Sequence, residues 1–128
     1  MAPMLPTVLQ VALGGAIGAT LRWALGLAFL RTMGPTAFPL PVLTANVAGS
    51  LAMGGFVVLA GQRGWAHLSP FVMTGLLGGF TTFSAFSLET VTLIERGQAG
   101  LAALYVLLSV ALSVGALWVG VMAMRAAL

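Results

Sequence analysis

The stretch Gly78-Gly79-Phe80-Thr81-Thr82-Phe83-Ser84-Ala85-Phe86-Ser87 places two glycines and a run of hydroxyls inside a long apolar segment, with no charge among them. A helix in lipid must satisfy all its backbone N–H and C=O groups internally, and glycine entropy and β-branched crowding weaken it here. We therefore expect the helix to break between Gly78 and Thr82. Non-helical backbone is tolerated at membrane depth where it faces protein, an ion or a wet cavity. The stretch thus predicts an ion-binding site.

The composition around this stretch is that of an integral membrane protein. The chain has 128 residues, of which 60% are hydrophobic and 5% charged, and its mean hydropathy is +1.12. Ordinary soluble domains carry about 25% charged residues. Each apolar stretch reaches the roughly 20 residues that span a bilayer, and the stretches are Thr7 to Leu30, Pro39 to Ala60, Ser69 to Ile94 and Gln98 to Met124. We predict an all-α membrane protein in which residues 1–128 form one four-helix transmembrane domain.

Several functional classes are excluded by what surrounds these spans. No basic segment precedes the first stretch, whose apolar run exceeds the ~7 to 15 residues of a signal peptide core, so we expect a retained span. The sequence has no cysteine, which excludes disulfides and thiolate metal sites. Five arginines and two glutamates give a net charge of +3, too sparse and scattered for nucleic-acid binding.

The arginines predict no preferred orientation in the membrane. With four spans, Arg63 and Arg125 lie on one side and Arg31 and Arg96 on the other. Orientation follows the Lys/Arg asymmetry of short loops, and here the sides are balanced. A chain that inserts both ways can form an antiparallel dimer, although a weak bias concealed by so few charges is an equal alternative.

The third span consists of two helical pieces on either side of the expected break. At 1.5 Å per residue, residues 69–77 cover about 13 Å and residues 83–94 about 18 Å. The two pieces together cross the hydrocarbon core, so the break is expected near the midplane. Discontinuous helices of transporters hold ions at that depth.

The last span carries three hydroxyls on one face, because Tyr105, Ser109 and Ser113 are spaced at i, i+4 and i+8. They extend over about 12 Å, enough for a track of hydrogen-bond donors to a dehydrated ion. The alternative for each serine is a bond to its own i−4 carbonyl or to a neighbouring helix.

Other polar or aromatic residues within the spans also have two interpretations. Asn46 needs a partner in an apolar span, and its amide either donates to an anion or joins two helices. The rings of Phe83 and Phe86 offer positive edges to an anion, or they are ordinary packing. Arg22 follows the close-packing glycines Gly14 and Gly18 and either attracts anions or, as we favour, anchors the structure by capping carbonyls.

The remaining ionisable side chains predict no catalysis. His67 has no second metal ligand at a suitable spacing. Glu89 and Glu95 lie toward the end of the third span and lack the paired carboxylate that acid/base catalysis requires.

These motifs together resemble the CrcB/Fluc fluoride channel family over nearly the whole chain. The matching segments are Gly14-Gly15-x-x-Gly18-Ala19-x-x-Arg22, Asn46-Val47-x-Gly49-Ser50 and the stretch from Gly78 to Ser87. The resemblance implies a multi-pass protein of the bacterial plasma (inner) membrane that forms an antiparallel dual-topology homodimer with two pores. Such a protein conducts fluoride passively and exports it when acid-driven HF entry has loaded the cytoplasm.

The resemblance also implies residue roles. The carbonyls of Gly78 and Thr81 from both subunits would hold a structural sodium ion on the dimer axis, and Arg22 would be the vestibule arginine. The implied pore residues are Asn46, Phe83, Ser84, Phe86, Tyr105, Ser109 and Ser113. The chain has Val42 where the family usually has threonine and Ala85 where it often has threonine. The missing hydroxyl at Val42 puts one position of the hydroxyl track in question.

Two other functional classes remain as alternatives. A small multidrug transporter also has four spans and dual topology, but proton exchange needs a membrane-embedded carboxylate, and the first span has none. A non-transporting assembly subunit needs only small-residue packing faces and leaves the hydroxyl track and the expected break without a purpose.

Overall fold

The computed structural model describes residues 4–128, which are helical throughout apart from short connections and contain no strand. Four segments are long and apolar enough to cross a membrane: Met4–Met33, Leu40–Arg63, Ala66–Glu95 and Ala99–Ala127. The predicted all-α class with four spanning helices is therefore confirmed for the described residues. We name the α-helices α1 (Met4–Met33), α2 (Leu40–Arg63), α3 (Gly78–Phe80), α4 (Phe83–Glu95) and α5 (Ala99–Ala127).

Glycines end the helices where the sequence places its turns. Gly64 follows α2 with φ 71°, and its N–H donates to the carbonyl of Ala60. Gly97, between α4 and α5, has φ 77°. Side chains with a Cβ rarely adopt this left-handed conformation, so glycine at these positions allows the chain to reverse without strain.

The third span changes helical type along its length. A 3₁₀ turn at Ala66–Leu68 leads into a π-helical segment, Pro70–Leu77, which is followed by the single turn α3. Thr81 (φ −88°, ψ 158°) and Thr82 (φ −153°, ψ 125°) are extended, and α4 begins after them. The expectation that unwinding starts at Gly78 is wrong, because Gly78 is helical with φ −64° and ψ −36°.

Gly79 packs against α1 rather than providing a flexible joint. A Cβ added to Gly79 would stand 2.8 Å from the carbonyl oxygen of Gly15. From the other side, a Cβ on Gly18 would collide with the carbonyl of Leu76. Small residues on both elements thus bring the two backbones into direct contact, as the Gly14 and Gly18 face of α1 predicts.

The helices α2 and α5 approach each other in the same way. A Cβ on Gly54 would collide with the carbonyl of Leu117, and one on Gly120 with the carbonyl of Leu51. This close contact fixes the depth of α2 relative to the hydroxyl-bearing face of α5. A cluster of buried side chains continues the packing of α2, α4 and α5 and consists of Leu43, Phe86, Leu93, Ala102 and Tyr105.

We predict that Gly54→Ala destabilises the fold, because the added methyl must displace the α5 backbone. Overpacking of this kind costs about 1–3 kcal/mol. The matched control is Gly115→Ala on α5, where an added Cβ meets nothing within 4 Å. Thermal unfolding in detergent should show a lower midpoint for Gly54→Ala only, and equal midpoints for the two variants would contradict this packing.

Candidate ion-binding site

Asn46 holds the extended pair of residues in the third span through its side-chain amide. The backbone N–H of Thr82 donates to Asn46 Oδ1 at 2.8 Å, and Asn46 Nδ2 donates to the carbonyl of Thr82 at 3.1 Å. The Asn46 amide thus replaces both hydrogen bonds that the N–H and the carbonyl of Thr82 would make in a helix. Of the two interpretations of Asn46, the contact between two spans is present, and one Nδ2 hydrogen remains for another acceptor.

This arrangement takes helical donors away from two carbonyls. In an α-helix the N–H of residue i+4 donates to the carbonyl of residue i, so Thr82 would pair with Gly78, and Ala85 with Thr81. Instead, the N–H of Thr82 donates to Asn46, and the N–H of Ala85 donates to Thr82 Oγ1 at 3.0 Å as an N-cap bond. The carbonyls of Gly78 and Thr81 therefore lose their usual intrahelical partners.

Arg22 contacts the same turn from α1. Its Nε donates to the carbonyl of Gly79 at 3.3 Å. A guanidinium at the carboxyl end of a helical turn satisfies a carbonyl and interacts favourably with the helix dipole. Arg22 thus has the anchoring contact that the sequence analysis favours, while its vestibule role stays a prediction.

A pocket of about 340 Å³ lies between α2, α5 and the extended pair. Its lining includes five of the predicted pore residues, Asn46, Phe83, Phe86, Ser109 and Ser113. Ser50, Thr81 and Thr82 add further polar groups, and the rest of the lining is apolar or glycine. The predicted residues Ser84, Tyr105, Gly78 and Arg22 do not line this pocket.

Ser109 has a buried hydroxyl without a protein partner. The residue is 6% exposed, and its Oγ makes no hydrogen bond within residues 4–128. Threonines elsewhere show the common alternative: Thr90 and Thr92 donate to the carbonyls of Phe86 and Leu88, four residues earlier. The hydroxyl of Ser109 therefore does not serve helix structure and is available to a molecule in the pocket.

The aromatic residues form a continuous row beside the pocket. The ring centroids of Phe83 and Phe86 are 5.4 Å apart, and those of Phe86 and Tyr105 are 5.2 Å apart. Phe38 extends the row with an edge-to-face contact to Tyr105 at 5.5 Å. Phe83 is 78% exposed although it lines the pocket, so in a single chain the site opens onto the protein surface.

Tyr105 has a partner, Glu89, that its spacing in the sequence does not predict. The phenolic O–H of Tyr105 donates to Glu89 Oε2 at 2.9 Å, so this proton does not face the pocket. Glu89 belongs to a second cavity, of about 420 Å³, whose lining also includes Arg96 and Thr92. A carboxylate inside an apolar span needs a hydrogen-bond donor. The position of Glu89 within the third span therefore indicates, from the sequence alone, that some side chain donates to it.

Ser84 is the remaining predicted pore residue, and it lies outside the pocket. Its Oγ is 3.2 Å from Thr82 Oγ1, close enough for a hydrogen bond between the two hydroxyls. Ser84 thus extends the capping group at the start of α4. Its role in conduction stays a prediction.

Four apolar spans and a pocket lined by neutral donors define a small multi-span helical membrane protein. A family model described as CrcB-like protein, Camphor Resistance (CrcB), matches residues 9–121. The chain is 64% identical over 125 residues to a protein named fluoride-specific ion channel FluC from Ruegeria sp., which covers 98% of this chain and 99% of that relative.

Relatives from two other organisms carry the same name. The protein of Roseobacter denitrificans is 62% identical over 93% of this chain and 95% of its own length. That of Cereibacter sphaeroides is 55% identical over 95% and 97% respectively. The chain therefore belongs to the CrcB/Fluc family, which is a family of ion channels and not of enzymes.

We predict that Tyr105→Phe destabilises the protein by about 1–3 kcal/mol, because it leaves the Glu89 carboxylate without its donor. The double variant Tyr105→Phe/Glu89→Leu removes both partners and should cost less than the sum of the single changes. Thermal unfolding of the two single variants and the double variant measures this coupling. Strictly additive losses would show that the Tyr105 and Glu89 contact contributes nothing.

Proposed function

We propose that this protein is a passive, fluoride-selective channel of the bacterial inner membrane that exports fluoride from the cytoplasm. The observation that carries the proposal is the unpartnered, buried hydroxyl of Ser109 in a pocket that also includes Asn46 and Ser113. The name of the relatives, fluoride-specific ion channel, supports fluoride as the ion. Fluoride moves down its own gradient, outward when the cytoplasm holds the higher concentration.

The pocket supplies the interactions that a small dehydrated anion needs. Ser109 and Ser113 offer O–H donors, Asn46 has an N–H not directed at Thr82, and Phe83 and Phe86 present ring edges. Neither arginine nor lysine lines the pocket. Neutral donors bind an anion weakly enough to release it, whereas a fixed positive charge would hold it too long for conduction.

The proposal includes an antiparallel homodimer. The exposure of Phe83, at 78%, leaves one side of the pocket without a wall in a single chain. A second copy across a two-fold axis in the membrane plane supplies that wall, and the balanced arginines permit both insertions. Two equivalent pockets then give two pores per dimer.

The dimer also holds a structural sodium ion in this proposal. The carbonyls of Gly78 and Thr81 lack their usual N–H partners, because Asn46 and Thr82 take them. Two carbonyls from each of two copies give four oxygen ligands, and oxygen is the donor that small hard cations prefer. The bound cation neutralises these carbonyl dipoles and fixes the extended pair.

The rival functions are less consistent with the contacts. A proton-coupled drug transporter needs a carboxylate free to exchange protons and cations, and Glu89, which lies within a span, is engaged by Tyr105. A non-transporting assembly subunit has no use for an unpaired buried hydroxyl, because burial without a partner costs free energy.

The decisive experiment is fluoride efflux from liposomes that contain the purified protein. Efflux should proceed with a potassium ionophore to clamp the voltage and without a proton gradient, and chloride should not follow. A requirement for a proton gradient would replace the channel with an exchanger.

We predict that Asn46→Asp and Phe83→Ile abolish this flux. Phe83→Ile leaves the hydrogen bonds between Asn46 and Thr82 intact, so it reports on the pore with the fold unchanged. A carboxylate at position 46 repels the anion and cannot donate to the Thr82 carbonyl, and a repulsion of a few kcal/mol lowers flux at least about a hundredfold. Phe83→Ile removes a ring edge. The control is Phe56→Ile, which lies outside the pocket. Unchanged flux in both pore variants would refute the proposed pore.

We predict that sodium stabilises the dimer. A ligand that binds only the folded state adds about 2.7 kcal/mol at a hundred times its dissociation constant. Thermal unfolding of protein purified without sodium should therefore shift upward as sodium chloride is added, and N-methylglucamine chloride at equal ionic strength should have no such effect. An identical response to both salts would exclude the sodium site.

A further inference from the structure

Ser50 is a pocket residue to which neither the relatives' name nor the family resemblance gives a function. It lies one turn after Asn46 on α2, and both residues line the pocket with Ser109 and Ser113 of α5. Positions i and i+4 share a helix face. The α2 side of the pocket therefore carries a polar stripe opposite the polar stripe of α5.

The hydroxyl of Ser50 is not used by the protein. A serine in a membrane helix commonly donates to the carbonyl four residues earlier, as Ser87 does to Phe83 at 2.9 Å. The corresponding acceptor for Ser50 is the carbonyl of Asn46, yet Ser50 makes no hydrogen bond within residues 4–128. Its O–H is thus free to donate into the pocket, as that of Ser109 is.

The neighbouring Gly49 fixes where Ser50 stands. A Cβ added to Gly49 would collide with the methyl group of Thr81, so α2 touches the extended pair at this position. Ser50 follows directly and lines the space beside that contact. The hydroxyl therefore lies at the depth of the extended pair, where the pocket also includes Phe83 and Thr82.

The position one turn before Asn46 does not provide a hydroxyl. Val42 packs against the buried cluster that contains Leu43 and Tyr105 and does not line the pocket. The polar stripe of α2 thus starts at Asn46 and continues only toward Ser50. The second donor of α2 is therefore Ser50, four residues after Asn46. It is not position 42, four residues before Asn46, where the family usually has threonine.

We propose that Ser50 is a further ion-coordinating residue, whose O–H donates to the anion from α2 while Ser109 and Ser113 donate from α5. The inference rests on the proposed channel function and deepens it. With Ser50, α2 supplies a second donor beside the free N–H of Asn46, so an anion in the pocket is held by one more hydrogen bond and binds with higher affinity. Hydrogen bonds to a charged group are among the stronger ones in proteins.

The test compares Ser50→Ala with Ser50→Thr and with the control Ser87→Ala in the liposome efflux assay. Loss of one donor to an ion should lower fluoride flux about tenfold in Ser50→Ala and raise the concentration for half-maximal flux. Ser50→Thr keeps the hydroxyl and should retain most of the flux. Ser87→Ala removes a hydroxyl that serves only the helix and should match the wild type.

The outcomes separate this proposal from the channel itself. If the wild type conducts fluoride and Ser50→Ala has the same flux and half-saturation, Ser50 is not a ligand and the channel function stands. If Ser50→Ala and Ser50→Thr lose flux equally and both unfold at lower temperature, the role of Ser50 is structural and the proposal fails. If the wild type carries no fluoride, the proposed function falls and this inference with it.

Discussion

The exchange of hydrogen bonds between the amide of Asn46 and the backbone of Thr82 is the interaction on which the rest of the site depends. It satisfies the N–H and the carbonyl of Thr82, so this backbone can remain extended in an apolar environment. The capping bond from Ala85 to Thr82 Oγ1 then restarts the helix as α4. Without these two contacts the extended pair would leave backbone N–H and C=O groups unsatisfied in an apolar environment.

In our proposal one arrangement of the backbone produces two sites of opposite character. Diverting the N–H groups of Thr82 and Ala85 leaves the carbonyls of Gly78 and Thr81 available to a cation. The free hydroxyls and ring edges of the pocket, whose lining includes the extended pair itself, suit an anion. In our proposal the cation also offsets the negative potential of those carbonyls, which would otherwise oppose an anion nearby. A cation site of this kind would support conduction as well as the proposed dimer.

The sequence predicted the four spans and the all-α fold because long apolar runs are decided by composition alone. It misplaced the beginning of the extended backbone, because Gly78 and Gly79 are helical despite the poor helix propensity of glycine, and Gly79 packs directly against α1. It also left Tyr105 as a free donor, since Glu89 is 16 residues away and their contact requires the fold of α4 onto α5. Local spacing placed Ser109 and Ser113 on one face of the last span, and both line the pocket, because i and i+4 positions follow from the helix itself.

The hydroxyl of Tyr105 differs from those of Ser109 and Ser113, because it is bound within residues 4–128 and theirs are not. Hydroxyls on one face of a membrane helix can therefore have either a structural or a functional role. All three hydroxyls of α5 share one face, but only Tyr105 reaches a charged partner, and it is fully buried in contact with Phe38 and Phe86. A hydrogen bond to a carboxylate is strong, so this hydroxyl would have to break it to meet an anion. Ser109 has no such bond to break. In the proposed pore, an ion moving along α5 gains most from the hydroxyls that make no hydrogen bond within the described part of the chain, whereas Tyr105, bonded to Glu89, holds α4 against α5.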